Sequence, residues 1–70
     1  MHIKGTFQPS NELLLKFYGY FKQATCGPCN RSRPGMFKVV ERAKYDAWAS
    51  VKNLSKEEAM NSYIDEIKNV

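Results

Sequence analysis

Residues 13–22, Leu13-Leu14-Leu15-Lys16-Phe17-Tyr18-Gly19-Tyr20-Phe21-Lys22 (LLLKFYGYFK), decide the fold class. Leu13, Leu14, Phe17, Tyr18 and Phe21 follow one another at steps of one, three, one and three. That stagger gathers them on one broad face of a helix, whereas a strand would alternate apolar and polar residues. Just upstream, Ser10 can accept a hydrogen bond from a free amide of the first turn. Downstream, Gly27 and Pro28 end the periodicity, so the spacing predicts a helix over about 10–25.

Outward from this helix, residues 1–9 carry Gly5 and Pro9, show no periodicity and read as a linker. Residues 26–38 are crowded with Gly27, Pro28, Asn30, Ser32, Pro34 and Gly35 and read as a loop. A second helix is expected over about 39–53, with Val40, Ala43, Ala47, Trp48 and Val51 on its apolar side. Ser55-Lys56-Glu57-Glu58 has the form of a capping box. It opens a third helix over about 56–70 that carries Ala59, Met60, Tyr63, Ile64 and Ile67. No segment alternates like a strand and none repeats, so the reading is an all-α chain of three helices.

A chain of 70 residues is one small domain or part of one, with a thin margin of buried surface. Its hydrophobic content of 43% argues for a folded core rather than disorder. No apolar run is long enough to span a membrane, and Met1-His2-Ile3-Lys4-Gly5 does not begin a signal peptide. The expected compartment is therefore reducing and cytoplasmic. Two cysteines and the lone His2 fall short of the four ligands of a structural zinc site.

The net charge of +4 is unevenly spread. Between Leu13 and Tyr45, Lys16, Lys22, Arg31, Arg33, Lys38, Arg42 and Lys44 face only Glu41; from Glu57 to Glu66 there are only acids. This asymmetry points to an anionic partner on the basic side. A small basic helical module for nucleic acid is one candidate, with tyrosines interleaved among the cations.

Cys26-Gly27-Pro28-Cys29 matches the dithiol of thioredoxin-like enzymes. Such a site needs its first thiol at a helix N-terminus after a strand, where amide dipoles stabilise thiolate. Here Cys26 trails a helix and no strand precedes it. The dipole at that end opposes a thiolate, with Arg31 and Arg33 as candidate compensation. Dithiol catalysis is not expected.

Leu14, Tyr18 and Lys22 are spaced i, i+4, i+8 and form a line on one helix face, with Phe21 beside it. Lys44 sits on the second helix and Tyr63 on the third. Rings next to ammonium groups suit a ligand with a planar base and a phosphate. The alternative is plain: both tyrosines belong to the core with hydroxyls at the surface, and the lysines are solvated. Spacing alone leaves both open.

The segments LLLKFYGYFKQATCGPCNRSRPGMF, RAKYDAWASVKNLSKEEAM and NSYIDEI resemble the acyl-CoA-binding protein family. The first follows its tyrosine-x-x-tyrosine-lysine-glutamine-alanine-threonine helix and arginine-proline-glycine loop. The resemblance covers about residues 7–70, and three ordered segments with a shared spacing are far more specific than a four-residue dithiol. The resemblance implies a four-helix bundle that holds long-chain fatty acyl-CoA as a monomer, without a cofactor and without catalysis. It implies no nucleic-acid partner. Tyr18, Lys22 and Lys44 would meet the adenine and 3′-phosphate, and Tyr63 would close that site. The binding stretch would run from Tyr18 through Gly19, Tyr20 and Phe21 to Lys22. The acyl chain would lie against Leu14 and Met36. FQPSNE, GPC and SRPG look more like the larger, peroxisome-associated members.

Three departures bear on function. Phe21 stands where the family usually has tyrosine, and Val40 where lysine is common. The family's first helix is not found, because Met1 falls about where that helix would end, and the last helix stops at Val70. With one wall lacking, the side formed by Leu13, Leu14 and Phe17 is expected to face water, and the chain is expected to bind weakly or to be only partly folded by itself.

Overall fold

The structure, a computed structural model, describes residues 10–69; the expected linker lies outside them. It contains α1 (Asn11–Cys26), α2 (Val39–Ala49) and α3 (Lys56–Lys68), and no strand among the described residues. The Ser10 hydroxyl accepts from the Leu13 amide at 3.1 Å, capping α1 as its position implied. In α3, Glu58 donates its amide to Ser55 Oγ at 3.0 Å while its carboxylate accepts from the Ser55 amide at 2.8 Å. Each such cap stabilises its helix by about 1 kcal/mol.

The second helix is shorter than its expected span of 39–53. After Ala49 the chain tightens into three-residue turns, with Val51 donating to the Trp48 carbonyl at 3.2 Å and Leu54 to that of Val51 at 3.0 Å. Carbonyls freed by this tightening are taken up from α1. Gln23 Nε2 donates to the Leu54 carbonyl at 2.6 Å and reaches that of Lys52 at 3.5 Å.

The described structure measures 42 × 31 × 14 Å. Its short dimension barely exceeds the ~10–12 Å thickness of a helix with side chains, so the helices form a single layer. α1 is the middle member, packed on α2 along one flank and α3 along the other, while α2 and α3 do not touch. A single layer has seams but no second layer to bury its faces. The buried core is accordingly small: Trp48 and Ala59, with Gln23 as the buried polar group. On the open faces Leu14, Phe21, Met60, Ile64 and Ile67 remain exposed. The expectation for residues 13–17 is met at Leu14; Leu13 and Phe17 are half-buried instead. Phe17 packs on Tyr63, ring centroids 5.3 Å apart.

The α1–α2 seam closes at Gly19. A Cβ there would stand 2.5 Å from the Ala47 carbonyl oxygen and 3.0 Å from its carbon. Only a residue without a side chain permits this approach, which sets how near α2 stands to Tyr18 and Lys22.

Candidate functional site

Two depressions meet on the α1–α2 seam. A small polar cleft is lined by Tyr18, Arg31, Ser32, Pro34, Glu41, Lys44, Tyr45 and Trp48. Beside it runs an apolar groove of about 530 Å³ formed by Leu14, Leu15, Val39, Val40 and Ala43, together with Tyr18 and Lys44. Its volume falls in the ~300–1,000 Å³ range of small-molecule sites. Tyr18 and Lys44 belong to both walls, and the Lys44 ammonium lies 5.2 Å from the Tyr18 ring centroid. A cationic end and an apolar trough therefore share one junction.

Trp48 organises the cationic end. It is 3% exposed, and Lys22 Nζ lies over its ring at 4.8 Å while the Arg31 guanidinium lies at 6.0 Å. Each cation over an aromatic face contributes about 0.5–2 kcal/mol. Trp48 Nε1 donates to the Gly27 carbonyl at 2.8 Å, so the loop carrying Arg31 is tied to α2 from inside. A second tie is external: Arg33 Nε and Nη2 donate to Asp46 Oδ1 and Oδ2 at 3.1 and 2.9 Å. This hydrogen-bonded guanidinium is the main reason the Asp46 carboxyl is held below its ordinary range.

Lys22 lies over Trp48, and Trp48 lines the cleft that holds Lys44. The other expected residues divide. Leu14 is in the groove, but Met36 stands exposed on the turn before α2, and Val39 and Val40 line the groove instead. Gly19 is buried under the Ala47 carbonyl, so it fixes the helix crossing and offers no surface to a ligand. Tyr20 lies one turn beyond Lys16 and Phe17, which contact Glu66 and Tyr63 of α3, so it faces away from the cleft. Phe21 and Tyr63 line a separate groove of about 220 Å³ with Ala24, Thr25 and Met60, on the α1–α3 seam. Tyr63 packs on Phe17 and is not among the residues that line the polar cleft.

Arg31 and Trp48 stand in the cleft without having been expected there. Trp48 was legible only as part of an apolar stripe. Arg31 lies in the irregular loop, where no periodicity relates it to Lys44.

The cysteines have a different account. Both thiols are free. Cys26 occupies the last turn of α1, and Gly27 after it adopts φ 83°, the left-handed region that glycine enters without strain. The glycine of the dithiol-like motif serves as a helix stop and an acceptor for Trp48. The Cys26 thiol is lowered from its ordinary value, first by its hydrogen bond with Thr25, with slight burial opposing and Lys22 and Lys56 assisting. The expected compensation by Arg31 and Arg33 is corrected. Arg31 is engaged with Trp48 and Arg33 with Asp46.

The family described as Acyl CoA binding protein matches residues 1–67. The chain is 58% identical over 66 residues to acyl-CoA-binding domain-containing protein 5 of Xenopus laevis, covering 94% of this chain and 14% of that protein. It is 57% identical over 65 residues to an acyl-CoA-binding protein of Brassica napus, covering 93% of this chain and 71% of that one. Among solved structures, acyl-CoA-binding protein 2 of Oryza sativa superposes with a TM-score of 0.85 at 48% identity, over 96% of this chain and 71% of that chain. The chain thus spans about 14% of the length of the frog relative. With a matching family profile over nearly all of its length and an all-helical architecture shared with the rice protein, the chain belongs to the acyl-CoA-binding protein family.

Proposed function

We propose that the protein binds long-chain fatty acyl-CoA across the α1–α2 seam and carries or pools it without chemical change. The observation that carries this reading is the junction: Tyr18 and Lys44 line both the cationic cleft and the apolar groove. An amphiphile with a phosphorylated nucleotide at one end and an acyl chain at the other matches that layout. The acyl chain lies along Leu14, Val39, Val40 and Ala43. The nucleotide stacks near Tyr18, and its phosphates meet Lys44, Lys22 and Arg31.

Arg31 matters for charge. Within the cleft Glu41 offsets Lys44, so Arg31, with Lys22 alongside, leaves the pocket cationic. Along α1, Leu14, Tyr18 and Lys22 are successive at ~6 Å intervals. Lys22 and Arg31, both on Trp48, therefore stand at the end remote from the groove. That end suits the phosphate farthest from the acyl chain, the 3′-phosphate.

Burial of ten to fourteen methylenes at ~0.8 kcal/mol each supplies about 8–11 kcal/mol gross. Ordering and desolvation return much of it. The shallow groove, open on one face, captures only part. The relation to proteins named for acyl-CoA binding supports a binding protein rather than an enzyme; that it works as a monomer, in the cytoplasm or at a peroxisomal surface, is part of the same proposal. Among the described residues no helix is long and apolar enough to cross a membrane. Calorimetric titration with CoA and with octanoyl-, lauroyl- and palmitoyl-CoA tests the proposal. Affinity should rise with acyl length; equal affinity for free CoA would refute it.

A further inference from the structure

The polar cleft and the apolar groove leave unexplained an exposed apolar tip between them and solvent. Gly35-Met36-Phe37-Lys38 forms a tight turn closed by the Lys38 amide donating to the Gly35 carbonyl at 3.0 Å. Its two central side chains project outward: Met36 is 68% and Phe37 92% exposed. Val39 and Val40 follow at 71% and 66%. Isolated exposed apolar residues need no explanation, but four of the five consecutive positions 36–40 form a contiguous patch of the kind that marks a contact surface.

The tip is held in place. Arg33, just before it, is fixed to Asp46 by two hydrogen bonds. Just after it, the Arg42 amide donates to the Lys38 carbonyl at 2.9 Å in the first turn of α2. Lys38 within the patch and Arg42 one turn on are cationic, and Glu41 is the acid among them. Apolar side chains at the apex of an anchored turn, with cations within and next to the patch, match a bilayer whose surface is anionic. The apolar groups enter the acyl boundary and the cations remain with the headgroups. An acidic protein partner would need a matched apolar pocket for each of these side chains, whereas a bilayer takes all of them without one.

We infer that residues 36–40 are a membrane-docking lip that seats the protein on anionic lipid bilayers. Val39 and Val40 also line the groove, so a docked lip brings the groove mouth to the bilayer surface. Only this last point rests on the acyl-CoA reading; the docking itself does not.

Flotation of the protein with liposomes of phosphatidylcholine containing 30% phosphatidylserine tests the inference, with pure phosphatidylcholine liposomes as the comparison. Binding is expected to the anionic vesicles and to fall at least tenfold on pure phosphatidylcholine. Phe37→Ser should lower partitioning about tenfold, because burying a phenylalanine side chain is worth more than a factor of ten. Lys38→Glu should lower it by a similar factor, since each cation near an anionic surface contributes substantially. Both variants should keep the helical circular dichroism of the parent, because neither residue packs inside the fold. No binding to anionic vesicles, equal binding to both compositions, or binding unchanged by Phe37→Ser would each overturn the inference.

Discussion

Replacing Gly19 with alanine opposes two effects of known sign. Alanine is the better helix former, by about 0.5–1 kcal/mol. The added Cβ, however, would stand 2.5 Å from the Ala47 carbonyl oxygen, where ordinary contact begins at 3.4 Å. The obstacle is backbone, so no side chain can rotate away; α1 and α2 must part by ~0.9 Å or bend. Overpacking of this kind costs about 1–3 kcal/mol, which exceeds the propensity gain and leaves a net loss of roughly 0.5–2 kcal/mol. In a domain of this size, whose total stability is on the order of 0.05–0.15 kcal/mol per residue, that loss is large. Urea unfolding followed by the fluorescence of Trp48, buried in the same seam, should show the midpoint fall by about 0.5–2 M for a slope near 1 kcal/mol/M. A midpoint that rises would mean that propensity dominates and that the close crossing does not exist.

Arg31→Ala should weaken palmitoyl-CoA binding about tenfold, the loss of one charged contact, and leave palmitoyl-dephospho-CoA nearly unaffected in the same titration. Lys44→Ala should weaken both. The Asp46 carboxyl is depressed in the folded state by Arg33, so its stabilising contribution is present above the unfolded value of ~3.9 and lost as pH falls through the folded one. The gap in urea midpoint between the parent and Asp46→Asn should therefore narrow from pH 7 towards pH 3; a constant gap would refute the pairing. The Cys26 thiol is lowered first by its hydrogen bond with Thr25, so the pH midpoint of its alkylation by iodoacetamide should rise in Thr25→Val; an unchanged midpoint would refute that cause.

The three helices were legible because each advertises itself locally. Leu13, Leu14, Phe17, Tyr18 and Phe21 keep helical spacing, Ser10 caps α1, and Ser55 with Glu58 opens α3. What periodicity cannot carry is which side of a helix meets which neighbour. Five apolar residues read as one face of α1 are divided in a single layer, Phe17 going to α3 and Tyr18 to the α2 seam. Tyr63 accordingly packs on Phe17, while Tyr18 faces Lys44. Gln23 shows the same limit, since a glutamine on a helix reads as solvated. It is 1% exposed because its amide answers carbonyls more than two dozen residues away. Arg31 needed the path of the loop, which Trp48 and Gly27 fix together.

The site's location is tested most directly by mapping backbone amide chemical shifts as palmitoyl-CoA is added to isotope-labelled protein. The largest changes should fall at Leu14, Tyr18, Arg31, Val40 and Lys44, the residues around the shared junction. Changes confined to Phe21, Met60 and Tyr63 would place the ligand on the α1–α3 seam and contradict the account.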